Sequence, residues 1–372
     1  DGATVLRCTS FNLYCGKSSL FGAEVLLAVE GKEYAELRMR VEYDGYVRFK
    51  DGGQKPSMEV LESLSLRQGK NSLEARIHHP SFLGRRQGVA CASVWLWEEE
   101  NEVCVVDVDG TITLSDKIGL FASSFLSASK KIGSVLSRTR WRREEDAEEA
   151  AGASSTSKMS SLADALRNGY VHEHVDQVLR VIGSLNVRLL YLTARPISLT
   201  MRTKTFLDHI GAPEGAVITM PHPVVRSLGT GHEDFKVSVL LQVRDAFLDA
   251  SPFVAGFGNQ TSDVQAYLAG GVPRSRIFIV DKTSKIRTPA GQHEFSSYLD
   301  LSECLPELFR DERERRKAAA ATSARAEEGK QEESERVEGE EEAEGDSRES
   351  VGRERGGEGG RGEGESEGGK SE

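Results

Sequence analysis

Asp107 and Asp109 stand two apart at the end of an apolar run, Val103-Cys104-Val105-Val106, and Gly110, Thr111 and Thr113 follow directly. Paired carboxylates can attack, trade protons or hold a hard cation, and the two hydroxyls add further oxygens beside them. The apolar run reads as a buried central strand, and in an open parallel sheet the carboxyl end of such a strand is where ligands bind. Gly110 lets the chain turn sharply there. A DxD by itself is more often an acidic turn than a site. An apolar run leading into DxDGT is far more specific.

Other segments repeat this design. VRLLYLT (187–193) is a second buried-strand candidate that delivers Thr193 at its end, followed by Ala194-Arg195-Pro196. Phe253 to Phe257 is a third, with Gly258 and Asn259 as a turn and Asp263 at a helix start four residues on; RIFIVD supplies a further strand. Between them, HEDFKVSVLLQVRDAF reads as a helix with Lys236 near its start and a stripe of Val237, Leu240, Leu241 and Val243. VHEHVDQVLRVIG is amphipathic, with Val175, Val178, Leu179 and Ile182 on one face. His172 and His174 lie two apart and cannot share a helix face, which argues against a metal pair; exposed histidines are the expectation, with at least one near the site mouth as the alternative. Each of these residues has a plain alternative by itself: Lys236 as a surface lysine, Asp263 as a helix cap.

The DVDGT pattern resembles the haloacid dehalogenase-like phosphatases, and its context, WLWEEENEVCVVDVDGTITLSD, resembles more narrowly the lipins, magnesium-dependent phosphatidate phosphatases with a catalytic LNS2 domain. The resemblance covers about residues 85–310, with a weaker match upstream. It implies an α/β fold, a Rossmann-like haloacid dehalogenase-type parallel sheet with helices on both faces, preceded by an immunoglobulin-like β-sandwich. It implies Asp107 as the phosphoryl-accepting nucleophile, Asp109 as general acid/base, and Thr193 and Lys236 as the second and third motifs holding phosphoryl oxygens. Gly110, Thr111 and Arg195 are expected at the substrate, and Asp107, Asp109 (through its main-chain carbonyl), Asn259 and Asp263 at Mg2+. The substrate implied is phosphatidate in a membrane surface, and the setting is cytoplasmic, peripheral to the endoplasmic reticulum or nuclear envelope.

The chain departs from the family in places. It has TAR where lipins have SAR or TSR, and Gln260 replaces the Arg of GNRxxDVxAY. The helix expected over Leu199–Ile210 carries Arg202 and Lys204 where a lipin is more acidic. These differences keep two alternatives open: a related phosphatase acting on another phosphorylated lipid or soluble ester, or a non-catalytic phosphatidate-binding module. Intact Asp109 argues against the latter, since a sensor has no need of the second acid.

Physical chemistry makes the same residues coherent. An anionic phosphate monoester repels an attacking carboxylate, so a cation must screen the approach, and Mg2+ takes oxygen ligands. Asp107 would then form an aspartyl-phosphate while Asp109, with a pKa above its neighbour's, protonates the leaving alkoxide and later deprotonates water. Thr193 and Lys236 would steady the transferring oxygens.

Composition sets the remaining bounds. The length of 372 residues allows two domains. Residues 1–98 hold short alternating runs broken by Glu30-Gly31, Asp44-Gly45 and Asp51-Gly52, the pattern of a β-sandwich, and Trp95 and Trp97 are expected to join it to the catalytic part, residues 99–310. A low-complexity insertion is expected at about 127–165. Within it, residues 130–143 cluster Lys130, Lys131, Arg138, Arg140, Arg142 and Arg143 around Trp141, a sequence suited to an anionic lipid surface or to plain solvation. Residues 311–372 carry −9 of the formal charge of −11 and are expected to be a disordered acidic tail. Five scattered cysteines without CxxC spacing indicate neither a disulfide framework nor a zinc site. The nearly neutral folded part gives no sign of nucleic-acid binding, and no apolar run approaches the length of a membrane span. The chain begins at Asp1 rather than Met, so a natural amino terminus beyond it is an open expectation.

Overall fold

The structure, a computed structural model, describes residues 6–15, 20–78, 88–114, 170–221, 232–247, 251–319 and 321–322. Residues 1–309 gather into one unit and residues 310–372 into another.

The first unit opens with a five-stranded antiparallel sheet built from β1 (Glu24–Val29), β2 (Lys32–Val41), β3 (Val47–Phe49), β4 (Gly69–His78) and β5 (Gly88–Leu96), in the order β3-β2-β1-β4-β5. The turn pairs fall where the sequence places them: Gly31, Gly45 and Gly52 all have positive φ, the conformation glycine adopts without steric cost. One face is buried, with Val25, Leu27, Leu37, Met39 and Leu73 packed under Leu61 of the short helix α1 (Met58–Ser63). Among the described residues this is one sheet; the second sheet of the expected sandwich is not among them.

The α/β part is centred on β6 (Val103–Val106). Its side chains alternate between two cores: Cys104 and Val106 lie with Leu189 and Tyr191, whereas Val103 and Val105 lie with Leu190 and Leu192. Burial on both faces is why this strand is uninterruptedly apolar. Helix α2 (Val175–Ser184) follows, then β7 (Arg188–Pro196), α3 (Thr200–His209), β8 (Ala216–Met220), α4 (His232–Arg244), β9 (Phe253–Gly258), α5 (Thr261–Gly270) and β10 (Ile277–Val280). Strands β8-β7-β6-β9-β10 run parallel in that order, and β11 (Ile286–Arg287) and β12 (Glu294–Phe295) complete one edge antiparallel. The order reverses beside β6, which makes the crevice at its carboxyl end the expected ligand position.

Helices cover both faces. On one side α2 brings Val178, Leu179 and Ile182, α3 brings Phe206 and Leu207, and a helix α6 (298–309) brings Tyr298, Leu301, Leu305 and Leu308. On the other, α4 brings Val239, Leu240 and Val243, and α5 brings Ala266 and Tyr267. Trp95 and Trp97 pack against this second core, so the expected joining role of the two tryptophans holds. The amino-terminal stretch also grips α4: Ser10 donates through both its main-chain N–H (3.1 Å) and its hydroxyl (2.9 Å) to Gln242 Oε1.

The second unit corrects one expectation. Its residues 310–319 and 321–322 are helical, with Arg316 Nε 3.3 Å from Glu312 Oε1 at i, i+4 spacing, so the structureless tail does not begin at residue 311. Arg, Glu, Lys and Ala are strong helix formers, which favours helix in this stretch. The expected insertion, the basic segment 130–143 and the rest of the tail lie outside the described residues. Among the described residues no helix is long and apolar enough to cross a membrane.

Candidate active site

Strand β6 ends at Val106, so Asp107 and Asp109 both lie in the turn that follows. The main-chain N–H of Asp107 donates to the Phe257 carbonyl at 2.9 Å, which fixes the first acid against the end of β9. Gly110 takes φ +80°, a left-handed conformation that a side chain resists. Its N–H donates to the Thr113 hydroxyl (3.1 Å), and that hydroxyl donates back to the Val108 carbonyl (3.3 Å), closing the loop on itself.

Three strand ends and two helix starts deliver the rest. Lys236, on the first part of α4, is buried with its ammonium 2.6 Å from Asp107 Oδ1 and 2.6 Å from Asp263 Oδ1. Asp263, in the first turn of α5, is almost wholly buried, and its Oδ2 accepts the main-chain N–H groups of Asn259 and Gln260, each at 3.0 Å. It therefore caps its helix and faces Lys236 with the same carboxylate. Thr111 donates to Asp107 Oδ2 at 3.3 Å. Asn259 stands half-buried at the turn between β9 and α5.

A second cluster surrounds Asp109. Arg195 at the end of β7 is buried and grips Asp109 with Nε (2.9 Å to Oδ2, 3.1 Å to Oδ1) and a terminal guanidinium nitrogen (2.7 Å to Oδ1). Thr193 donates its hydroxyl to Asp109 Oδ2 at 3.0 Å and accepts the Arg195 main-chain N–H at 3.2 Å. All nine residues that the sequence singles out are thus at the carboxyl ends of β6, β7 and β9 or at the starts of α4 and α5.

The electrostatics follow from burial. Burial pushes the Asp107 carboxyl up to about 7; the Lys236 charge pulls against this, and the charges of Asp263 and Asp109 add to it. Burial works against the Lys236 ammonium, yet Asp107 and Asp263 outweigh it and hold the lysine charged well above its ordinary range. Three carboxylates (Asp107, Asp109, Asp263) face two cations (Lys236, Arg195), leaving one negative charge in excess. Such a cluster of hard oxygen donors suits a divalent cation. Among the described residues no three carboxylate, histidine or cysteine side chains gather at one point.

Several supporting residues were not foreseen. Thr203 and Phe206 on α3 back Arg195, the first accepting from Nη1 at 3.3 Å and the second placing its ring centroid 5.7 Å from the guanidinium carbon. Tyr298 on α6 donates to the Thr111 carbonyl (2.6 Å), and Tyr267 on α5 to the Phe257 carbonyl (2.6 Å). His172, expected to be exposed, is 2% exposed. Its Nδ1 lies 2.8 Å from the Ser284 hydroxyl, and burial lowers its pKa against the opposing pull of the Gly110 carbonyl and Asp281. A Thr inside a helix or a Tyr on a core stripe carries no sequence signal of this kind, because the partners lie far away in the chain.

Comparisons with known proteins find relatives of this chain. The family model LNS2 (Lipin/Ned1/Smp2) matches residues 53–135 and 151–310. The phosphatidate phosphatase PAH1 of Arabidopsis thaliana is 27% identical over 266 residues, covering 68% of this chain and 24% of that protein. Mouse phosphatidate phosphatase LPIN3 is 26% identical over 278 residues (71% and 27%), and human phosphatidate phosphatase LPIN1 is 24% identical over 264 residues (68% and 24%). The chain thus spans about a quarter of the length of these relatives. With the family model matched across both its β-rich and its α/β parts, this chain belongs to the LNS2 (Lipin/Ned1/Smp2) family.

Proposed function

We propose that this chain is a Mg2+-dependent phosphatidate phosphatase of the haloacid dehalogenase-like kind, acting through an aspartyl-phosphate at a membrane surface. The observation that carries the reading is the buried Lys236 ammonium, 2.6 Å from both Asp107 and Asp263, with a second acid, Asp109, two residues beyond Asp107. The named activity of the relatives supplies the substrate.

Asp107 is the nucleophile: its bond to phosphorus forms as the bond from phosphorus to the leaving alkoxide breaks. Asp109 gives that alkoxide a proton. It then takes a proton from the water that attacks the aspartyl-phosphate, which releases phosphate and restores Asp107. Lys236, held charged by its two carboxylates, steadies the phosphoryl oxygens as charge develops, and the Thr193 hydroxyl does the same from the end of β7. When bound, Mg2+ would supply the positive charge that lets a carboxylate approach an anionic phosphate, held by Asp107, the Asp109 carbonyl, Asn259 and Asp263.

Phosphate release from phosphatidate in mixed micelles, with and without Mg2+, tests the reading. Turnover that needs Mg2+ and is lost in Asp109→Asn is the expected result. Release from a soluble phosphate ester but not from phosphatidate keeps the chemistry and rejects the lipid substrate. Lipid binding without any turnover rejects the enzyme.

A further inference from the structure

Asp109 is assigned the proton transfers, yet both of its carboxylate oxygens are engaged. Arg195 donates to Oδ1 and Oδ2 from one edge of its guanidinium, and Thr193 donates to Oδ2. While those bonds stand, the carboxylate has no edge to present to a leaving group. The donors themselves are informative. The Nε edge of Arg195 and the Thr193 hydroxyl converge on one small volume, and the Asp109 carboxylate fills it as phosphoryl oxygens would. A guanidinium fork matches carboxylate and phosphate equally well, but its one edge can serve only one of them at a time.

Resting on the phosphatase reading above, we propose that Arg195 is a transferable clamp: it secures Asp109 in the resting site and passes to the substrate's phosphoryl group, releasing Asp109 for proton transfer. The structure also indicates which partner moves. The Arg195 side chain is 4% exposed and that of Asp109 16%. Arg195 is braced from behind by the Thr203 hydroxyl, which is itself anchored to the Leu199 carbonyl at 3.1 Å, and by the Phe206 ring. Asp109 sits instead in a turn next to Gly110. The guanidinium therefore stays, Asp109 rotates out, and the phosphoryl group takes its place. Thr193 exchanges one acceptor for the other in the same step. Release of Asp109 is thereby tied to the arrival of an anion with several free oxygens, which favours a phosphomonoester over a diester.

The test is calorimetric binding of orthophosphate to the full chain in EDTA, for wild type, Asp109→Asn, Arg195→Gln and Arg195→Lys. The clamp requires Asp109→Asn to bind orthophosphate more tightly than wild type, roughly ten- to hundredfold, since a charge-assisted competitor has been removed. Arg195→Gln must bind more weakly than wild type, with Arg195→Lys, which keeps the charge without the fork, in between. Equal affinity in wild type and Asp109→Asn overturns the proposal, as does orthophosphate binding to neither of them. Circular dichroism confirms that each variant is folded, and if Arg195→Gln is not, the Asp109→Asn comparison decides alone. Phosphoester turnover by wild type separates this proposal from the functional reading. Turnover with equal orthophosphate affinities rejects only the clamp. The expected affinity order without turnover rejects only the enzyme.

Discussion

Lys236 is the residue on which the site's balance turns. Its ammonium is buried between two carboxylates that would otherwise face each other without a counter-charge. Removing one member of a buried ionic cluster costs more than the cluster contributes, because the remaining charges stay desolvated. Lys236→Met is therefore expected to lower unfolding free energy in EDTA by roughly 3–5 kcal/mol, measured by urea denaturation, and to abolish turnover. A change within a few tenths would mean that Asp107 and Asp263 do not depend on it. At this scale the sequence was informative where chemistry and position coincide. DVDGT announces itself because acids after an apolar run have few other uses. Lys236 and Asp263 became legible only through the order of motifs, since a lysine or a cap on a helix is ordinary by itself. The hold of Arg195 on Asp109 was not legible, because it depends on side chains 86 residues apart that meet only in the fold.

At the scale of elements, the close approach of α5 to β9 sets the position of Asp263. A Cβ on Gly258 would lie 2.5 Å from the Asp263 Cβ and 2.7 Å from its Oδ2, too near for any real contact. Gly258→Ala should therefore push Asp263 aside, costing about 1–3 kcal/mol of stability through overpacking and roughly a hundredfold in kcat/KM through misplacement. Unchanged kinetics would show that Asp263 tolerates displacement. The sequence marked Gly258 as a turn residue; its role as space for a neighbouring helix could not be read, since that depends on the approach of two elements. His172 joins the turn after β6 to the 281–285 loop, and it is held neutral by burial. A folded pKa below the ordinary 6.5 means that the unfolded chain binds the proton first as pH falls. The stability His172 contributes is full above about 6.5 and declines below it. Unfolding free energies of wild type and His172→Gln, compared from pH 7.5 to 5, should diverge in slope below about 6.5, with wild type losing more; parallel curves would contradict this.

At the scale of the molecule, the β-rich and α/β parts share one compact unit, joined by Trp95, Trp97 and the Ser10 to Gln242 bonds. Gln242 lies on α4, the helix that carries Lys236, so the amino-terminal stretch helps to set that helix. The two parts should unfold together, and Trp97→Ala, which removes an aromatic wedge at the junction at a cost of roughly 3 kcal/mol, should separate them into two transitions. Far- and near-ultraviolet circular dichroism through a denaturant series would show this. Two transitions already present in wild type would mean that the junction does not couple them. The parallel sheet was legible because strands buried on both faces spell themselves as apolar runs, and the joining tryptophans stood out by size. A sandwich was expected from alternation and turn pairs, which report antiparallel strands but not how many sheets they form. The helix over residues 310–319 was missed because a composition with almost no apolar residues was read as an absence of structure.

The central claim is that Asp107 carries the phosphoryl group. It is tested most directly by acid quenching of the enzyme during turnover of phosphatidate labelled in its phosphate, followed by peptide mapping of the label. The account requires acid-stable, base-labile label on the peptide containing Asp107, present with Mg2+ and missing in Asp107→Asn. Sustained turnover with no label on that peptide, or turnover surviving in Asp107→Asn, would contradict it.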